Sequence, residues 1–328
     1  MTVVLITGGA GFIGANLVNF LEKKQMKLII LDNLSNGDFA NPDAFKSIEK
    51  ITVAPQKQNW TTDKVFINGS ILDKPLIKAC VEASDYVVHL AANSGVQQSI
   101  LNPVDELLVN GVRTCLLLDE CSKANVKHVV LASSGAVVGG AELPITENSI
   151  LSPKSPYAVS KVSSEYYAKI FSDLYGLNTS VLRFSNVYGP YSHLKTSVIA
   201  NFCRNTISGL NLKVSGNGLQ TRDFIFVKDL VSAIYSCMIT DIQGCEKYQI
   251  SSGYEVSIID LINCIEVLCR EKGLVFPGCE FVDRLSGDVA RNFADNSKAV
   301  RMLDWRPDIS LEDGISATLQ YFEETLCE

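Results

Sequence analysis

The chain has 328 residues, 47% of them hydrophobic, and a formal net charge of −7. That length suits about two domains with sizeable apolar cores, and the acidic balance leaves no basic stripe to neutralise nucleic-acid phosphates, so no nucleic-acid partner is expected. No apolar run reaches the ~18 residues of a membrane span, Lys23 comes too late for the charged start of a signal peptide, and the ten cysteines include no Cys-x-x-Cys pair; buried thiols in a cytoplasmic protein are expected.

In chain order, the apolar run Val3-Val4-Leu5-Ile6 leads into Thr7-Gly8-Gly9-Ala10-Gly11-Phe12-Ile13-Gly14 and then a helical pattern carried by Leu17, Val18, Phe20 and Leu21. This is strand, glycine turn, helix. Such a turn lets the backbone approach a pyrophosphate, and the helix offers unpaired N–H groups and the positive end of its dipole. Gly9-x-Gly11-x-x-Gly14 fits the dinucleotide fingerprint, with Gly8 adding a wider spacing. A second strand, Leu28-Ile29-Ile30-Leu31, ends in Asp32, eighteen positions after Gly14. A carboxylate there accepts from both ribose hydroxyls and repels a 2′-phosphate, so NAD is expected over NADP.

The polar stretch Ala54 to Asp63 reads as a surface loop before a strand at Val65-Phe66-Ile67, and further β-prone runs stand at Tyr86-Val87-Val88, Val129-Val130-Leu131 and Ser180-Val181-Leu182. Helical stretches separate them, which predicts a parallel sheet with helices on both faces. Two long helices are predicted, Pro103 to Cys121 and Pro156 to Tyr175, each with proline in its first turn. After Tyr188-Gly189-Pro190 the pattern loosens into short strands and helices, marking a domain boundary. His89 and His128 border apolar strands and read as structural; with His193 they are too dispersed for a metal site, and none is expected.

Tyr157 and Lys161 stand one helical turn apart, on one face. A free phenol has a pKa of about 10, and a neighbouring ammonium pulls it down, which would make Tyr157 a base. The spacing alone also fits a tyrosine packed on a lysine stem. The glycine turn and Asp32 favour the base.

Together these residues resemble the extended short-chain dehydrogenase/reductase family, nearly end to end, and within it the nucleotide-sugar epimerases and dehydratases, UDP-glucose and UDP-N-acetylglucosamine 4-epimerases above all. Further segments carrying the resemblance are Asp32-Asn33-Leu34-Ser35, His89-Leu90-Ala91-Ala92, Asn110-Gly111-Val112, Ser133-Ser134 before Val137-Val138-Gly139, Arg183 to Pro190, Gly218 to Phe224, and Gly287-Asp288 ahead of Phe293-Ala294-Asp295. The resemblance implies an α/β fold: a Rossmann-like doubly wound parallel sheet over residues 1–187 that binds NAD, and a smaller mixed α/β substrate domain over 188–328, with some of 223–255 returning to the first. It implies that Tyr157 is the base, that Lys161 holds the nicotinamide ribose, and that Ser134 hydrogen-bonds the reacting sugar hydroxyl. Asn33, Ser70, Ile71, Ala91 and Ala92 would join the glycine turn around the cofactor. Asn186 and Arg222 would grip the substrate diphosphate, with Arg284 and Asn292 as further substrate contacts. The two long helices would form a homodimer interface.

Relatives that dehydrate carry acids just after the catalytic Ser/Thr; here Gly135 and Ala136 follow Ser134, so elimination is not expected. The expected reaction is C4 epimerisation of a UDP-hexose or UDP-N-acetylhexosamine, with a nucleotide-sugar C4 dehydrogenase or ketoreductase as the alternative. Several positions depart from the family pattern. Val138 stands where a tyrosine is common, Ser70 where the adenine-binding strand usually ends in Asp, and Leu285 where a phosphate-binding arginine often lies, with Arg284 one position early. Asn292, smaller than the tyrosine of hexose-specific members, favours N-acetylated substrates.

Overall fold

The computed structural model describes residues 2–36, 49–51, 62–283 and 289–326. Alternation along the first strand sets the architecture: Val4 and Ile6 enter one core, Val3 and Leu5 the other, because successive strand side chains point to opposite faces. Along the chain the strands are β1 (Val3–Thr7), β2 (Lys27–Asp32), β3 (Glu49–Ile51), β4 (Lys64–Asn68), β5 (Tyr86–His89), β6 (His128–Ser134) and β7 (Thr179–Phe184). There follow β8 (Asn186–Tyr188), β9 (Leu212–Ser215), β10 (Thr221–Arg222), β11 (Phe224–Phe226), β12 (Cys245–Ile250), β13 (Val256–Ser257) and β14 (Cys279–Val282). Eight of them form one sheet in the order β12-β7-β6-β5-β1-β2-β4-β3, all parallel. The chain builds outward from β1 in one direction and from β5 in the other. Loops leaving these two strands therefore part and open a crevice at their carboxyl ends.

Helices cover both faces, as a parallel sheet requires. Phe12–Glu22 and Val227–Ile239 bury Leu17, Val18, Leu21, Leu230 and Ile234 on one side. Lys74–Glu82, Arg113–Lys123 and Pro156–Tyr175 bury Ile77, Val81, Leu117, Leu118, Ala168 and Phe171 on the other. The helix Pro156–Tyr175 has the predicted bounds for local reasons: the Ser155 hydroxyl accepts from Ala158 N at 3.2 Å, Pro156 opens the first turn, and Gly176 closes it in the left-handed conformation.

The other long helix departs from expectation. It runs as Pro103–Leu107, a π-helical turn at Leu108–Val112, and Arg113–Lys123. Asn110 inside that turn explains it. Its side chain receives Asn93 N at 2.9 Å and donates to Asn93 O, Ser160 Oγ and Glu106 Oε1, while its carbonyl accepts from Thr114 Oγ1 at 2.6 Å and Ser164 Oγ at 2.7 Å. These contacts compensate for the disturbed helical ladder.

A third core gathers Phe202, Leu212, Phe224, Leu261 and Phe322 around the paired strands β9/β14, β8/β11 and β10/β13. The Trp305 indole donates to Asp229 O at 3.0 Å and Ser232 Oγ at 2.9 Å, fastening the C-terminal part to the helix Val227–Ile239. Among the described residues the cysteines are free thiols, and no helix is long and apolar enough to cross a membrane.

Two glycines at the start of the fold are dictated by close approach. Gly8 has φ +72°, and a Cβ on it would lie 2.6 Å from Ala91 N; a Cβ on Gly14 would lie 2.6 Å from Gly9 Cα. Backbone cannot yield as a side-chain tip can. Gly14→Ala is expected to lower unfolding stability by about 1–3 kcal/mol, read from the midpoint of urea denaturation; an unchanged midpoint would mean that helix and turn separate without cost.

Candidate active site

The crevice between β1 and β5 is a groove that gathers the whole predicted cofactor set. Gly8, Gly11, Phe12, Ile13 and Gly14 line it after β1, Asp32 and Asn33 after β2, Ser70 and Ile71 after β4, and Ala91 and Ala92 after β5, with Tyr157 and Lys161 at the far end. Gly11 caps the first helix without a side-chain bond, which leaves first-turn N–H groups for an anion. Asp32 Oδ2 accepts from Ala10 N at 3.0 Å and Oδ1 from Leu34 N at 2.8 Å. Burial raises its pKa, and the backbone N–H groups oppose that rise. The carboxylate thus ties the glycine turn to the end of β2 while lining the groove. A glycine cradle, a helix start open to anions and an acid at the second strand fit a dinucleotide.

Ser134 ends β6, and Tyr157 and Lys161 share one face of the helix Pro156–Tyr175. Ser134 Oγ accepts from Ala136 N at 3.2 Å, and the Ser134 hydroxyl is near enough to Tyr157 to lower its pKa. Lys161 Nζ lies 5.9 Å from the Tyr157 ring centroid and donates to Ala132 O at 3.0 Å. The expected lowering of the Tyr157 pKa by Lys161 is not what the protein alone produces. Burial raises it first of all, the Ser134 hydroxyl lowers it, and the nearby Glu106 carboxylate raises it again. The ammonium is turned to a carbonyl rather than to the phenol oxygen, so it does little for the phenolate.

Lys161 itself is pushed down to about 8 by burial, against the carboxylates of Glu106 and Glu165. Glu106, only 2% exposed, receives Asn110 Nδ2 at 2.5 Å. Nothing in the sequence pattern singled it out. The one available signal was its place four residues before Asn110, on the same helical face. His89 is the structural residue predicted: it bridges Thr7 Oγ1 at 2.7 Å and Thr114 Oγ1 at 3.0 Å, and burial, then Lys161, press it down to about 3.

A second cavity, of about 1010 Å³, lies in the C-terminal part, and Asn186 and Arg222 both line it together with Thr196, Ser197, Asn201, Lys213 and Ser215. The structure therefore unites the two predicted diphosphate ligands. Asp223 does the positioning: its carbonyl accepts from Asn186 N and Nδ2, both at 3.0 Å, and its buried carboxylate accepts from Ser252 N, Gly253 N and Ala294 N. The polar lining beyond Asn186 and Arg222 was not anticipated, since it comes from several elements with no shared motif. Asn292 is half-buried and lines neither cavity. Arg284, Gly287-Asp288 and the polar loop at 54–61 lie outside the described residues.

Residues 4–251 match the NAD dependent epimerase/dehydratase family. Over 323 residues the chain is 32% identical to the UDP-glucose 4-epimerase of Mycolicibacterium smegmatis, with 97% of each covered. The solved UDP-N-acetylglucosamine 4-epimerase of Methanobrevibacter ruminantium, in complex with UDP-N-acetylmuramic acid, superposes with a TM-score of 0.88 at 28% identity, with 99% of each chain covered. The dTDP-glucose 4,6-dehydratase of Streptomyces venezuelae, with NAD bound, superposes with a TM-score of 0.86 at 30% identity, over 98% of this chain and 97% of that one.

The charges around Lys161 give a test by titration. Glu106→Gln removes the carboxylate that raises both Tyr157 and Lys161, so each should lose its proton at lower pH than in the parent. The Tyr157 contribution is isolated by subtracting the ultraviolet titration of the matching Tyr157→Phe protein, and a curve that does not move would remove Glu106 from the electrostatics of the pair.

Proposed function

The chain belongs to the NAD dependent epimerase/dehydratase family and is an NAD-dependent nucleotide-sugar-modifying enzyme; from that premise we propose that it epimerises C4 of a UDP-hexose or UDP-N-acetylhexosamine. One observation carries this reading. The only acidic residue lining the groove, among the described residues, is Asp32, at the ribose end. Elimination needs an acid and a base beside the sugar, to take a proton from carbon and give one to the leaving hydroxyl. Gly135 and Ala136 supply neither. Epimerisation needs a single base that takes a hydroxyl proton and returns it.

In this reading Tyr157 is that base, Ser134 would hydrogen-bond the reacting hydroxyl, and Lys161 holds the cofactor ribose and favours the phenolate once turned toward it. Bound NAD, held by the glycine turn and Asp32, supplies the hydride acceptor and donor. Arg222 can fork onto phosphate oxygens in a way lysine cannot, and with Asn186 it anchors the diphosphate. Anchoring there leaves the 4-keto sugar free to turn and present its other face. Residues 1–187, with part of 223–255, would carry the cofactor and the remainder the nucleotide.

A homodimer is part of the proposal. Leu101 and Val104 are 72% and 77% exposed, and Ile170 and Leu174 are exposed on the neighbouring long helix, an apolar face of the kind that a second copy covers. A cytoplasmic location suits a nucleotide-sugar substrate and free thiols.

Purified protein is incubated, without added NAD, with UDP-, GDP- and dTDP-sugars, and C4 stereochemistry is followed by NMR. Formation of the C4 epimer with no NADH is the expected outcome. Accumulating NADH would make it a dehydrogenase, and a 4-keto-6-deoxy product would make it a dehydratase. Tyr157→Phe should lower kcat by roughly 10²- to 10⁴-fold with an unchanged unfolding midpoint; retained turnover would remove Tyr157 as the base.

A further inference from the structure

Between the two cavities stands a cation that the reading above does not use. Lys195 lines the cofactor groove, while the next two residues, Thr196 and Ser197, line the second cavity. Among the described residues its ammonium has one polar contact, Ser94 Oγ at 3.3 Å, across the groove on the loop that follows β5, and no carboxylate pairs with it. Lys161 and Arg183, by contrast, have carboxylates beside them. Burial lowers the Lys195 pKa, with no charged neighbour to offset it. The side chain is half-buried; partly withdrawing an ammonium from water without a counter-ion costs free energy, and an anionic ligand would recover it.

The loop carrying Lys195 is held rigidly. Asn16 Nδ2, on the first helix, donates to Pro190 O at 3.0 Å. Lys195 N donates to Ser192 O at 2.8 Å. The Arg204 guanidinium donates to Lys195 O at 2.8 Å and also to His193 O. The ammonium is thus presented from a fixed backbone, which limits the entropy lost on binding.

We propose that Lys195 grips the sugar-linked phosphate of the nucleotide sugar where the substrate passes from the second cavity to the groove. This rests on the nucleotide-sugar reading above. With the inner phosphate of the diphosphate held by Asn186 and Arg222 and the reacting carbon placed by Tyr157, the outer phosphate would fall at the partition that Lys195 occupies. The cofactor's own pyrophosphate is served instead by the glycine turn and the helix start.

Calorimetry on wild type and on Lys195→Met, with nucleoside diphosphates (UDP, dTDP, GDP) and their monophosphates, tests this, with bound NAD quantified after denaturation. For the nucleotide that wild type binds, the diphosphate Kd should rise roughly 10- to 100-fold in the variant, with monophosphate affinity and NAD content unchanged. Lys195→Arg should restore diphosphate binding, and Lys195→Gln replaces Met if that variant fails to fold. Equal diphosphate affinity in variant and wild type would overturn the assignment, as would loss of NAD with diphosphate binding kept, which would assign the charge to the cofactor. Wild type binding none of the nucleotides would instead sink the parent reading.

Discussion

One buried ion pair holds the catalytic end of the molecule in register. Arg183, on β7, donates from Nε to Glu165 Oε1 at 2.9 Å and from Nη2 to Oε2 at 2.7 Å, with side chains 1% and 4% exposed. Ser133 Oγ donates to the same carboxylate at 2.6 Å, and Arg183 Nη1 reaches Glu147 O at 3.3 Å. Two charges so deep cost several kcal/mol each to desolvate, and only a bidentate geometry with the remaining donors and acceptors satisfied recovers it. Geometry follows from that requirement. Glu165 lies one turn beyond Lys161, Ser133 precedes Ser134, and Arg183 precedes Phe184 at the groove wall, so the pair fixes helix Pro156–Tyr175 against the ends of β6 and β7.

Around this anchor the site divides its electrostatics by depth. Glu106 and Glu165 stand behind Lys161 and keep its charge despite burial, while neither lines the groove. The groove itself presents the Tyr157 phenol and the ammonium groups of Lys161 and Lys195. Such a surface can move one proton reversibly and receive an anion. Among the described residues its one carboxylate is that of Asp32, tied to the glycine turn. The second cavity, walled by polar side chains and arranged around Asp223, is separated from the groove by the segment from Phe184 to Thr196. A ligand spanning both would be fixed at the nucleotide end and less restrained at the sugar.

Much of this was legible in the residues. The glycine turn, Asp32, the alternation of strands with helices, and the Tyr157/Lys161 pair all rest on local spacing, which survives without knowledge of the fold. The bounds of the helix Pro156–Tyr175 were readable for the same reason, because Ser155, Pro156 and Gly176 act on their own neighbours. The π turn at Leu108–Val112 was not, since Asn110 draws its partners from Asn93, Ser160 and Ser164, far apart in the chain. The direction of the Tyr157 shift in the protein alone was not legible, because spacing places Lys161 nearby but does not say which oxygen its ammonium chooses.

The sequence by itself therefore determined the parallel sheet, the glycine turn and the placing of Tyr157 and Lys161 on one helical face, all properties of short segments whose hydrogen bonds and φ preferences are local. Only the tertiary structure decided that Glu165 pairs with Arg183, that Glu106 stands behind Lys161, that Lys195 reaches Ser94, and that Asn186 and Arg222 share one cavity. Those contacts join residues up to 101 positions apart, and their energetics depend on burial, which exists only once the chain has packed.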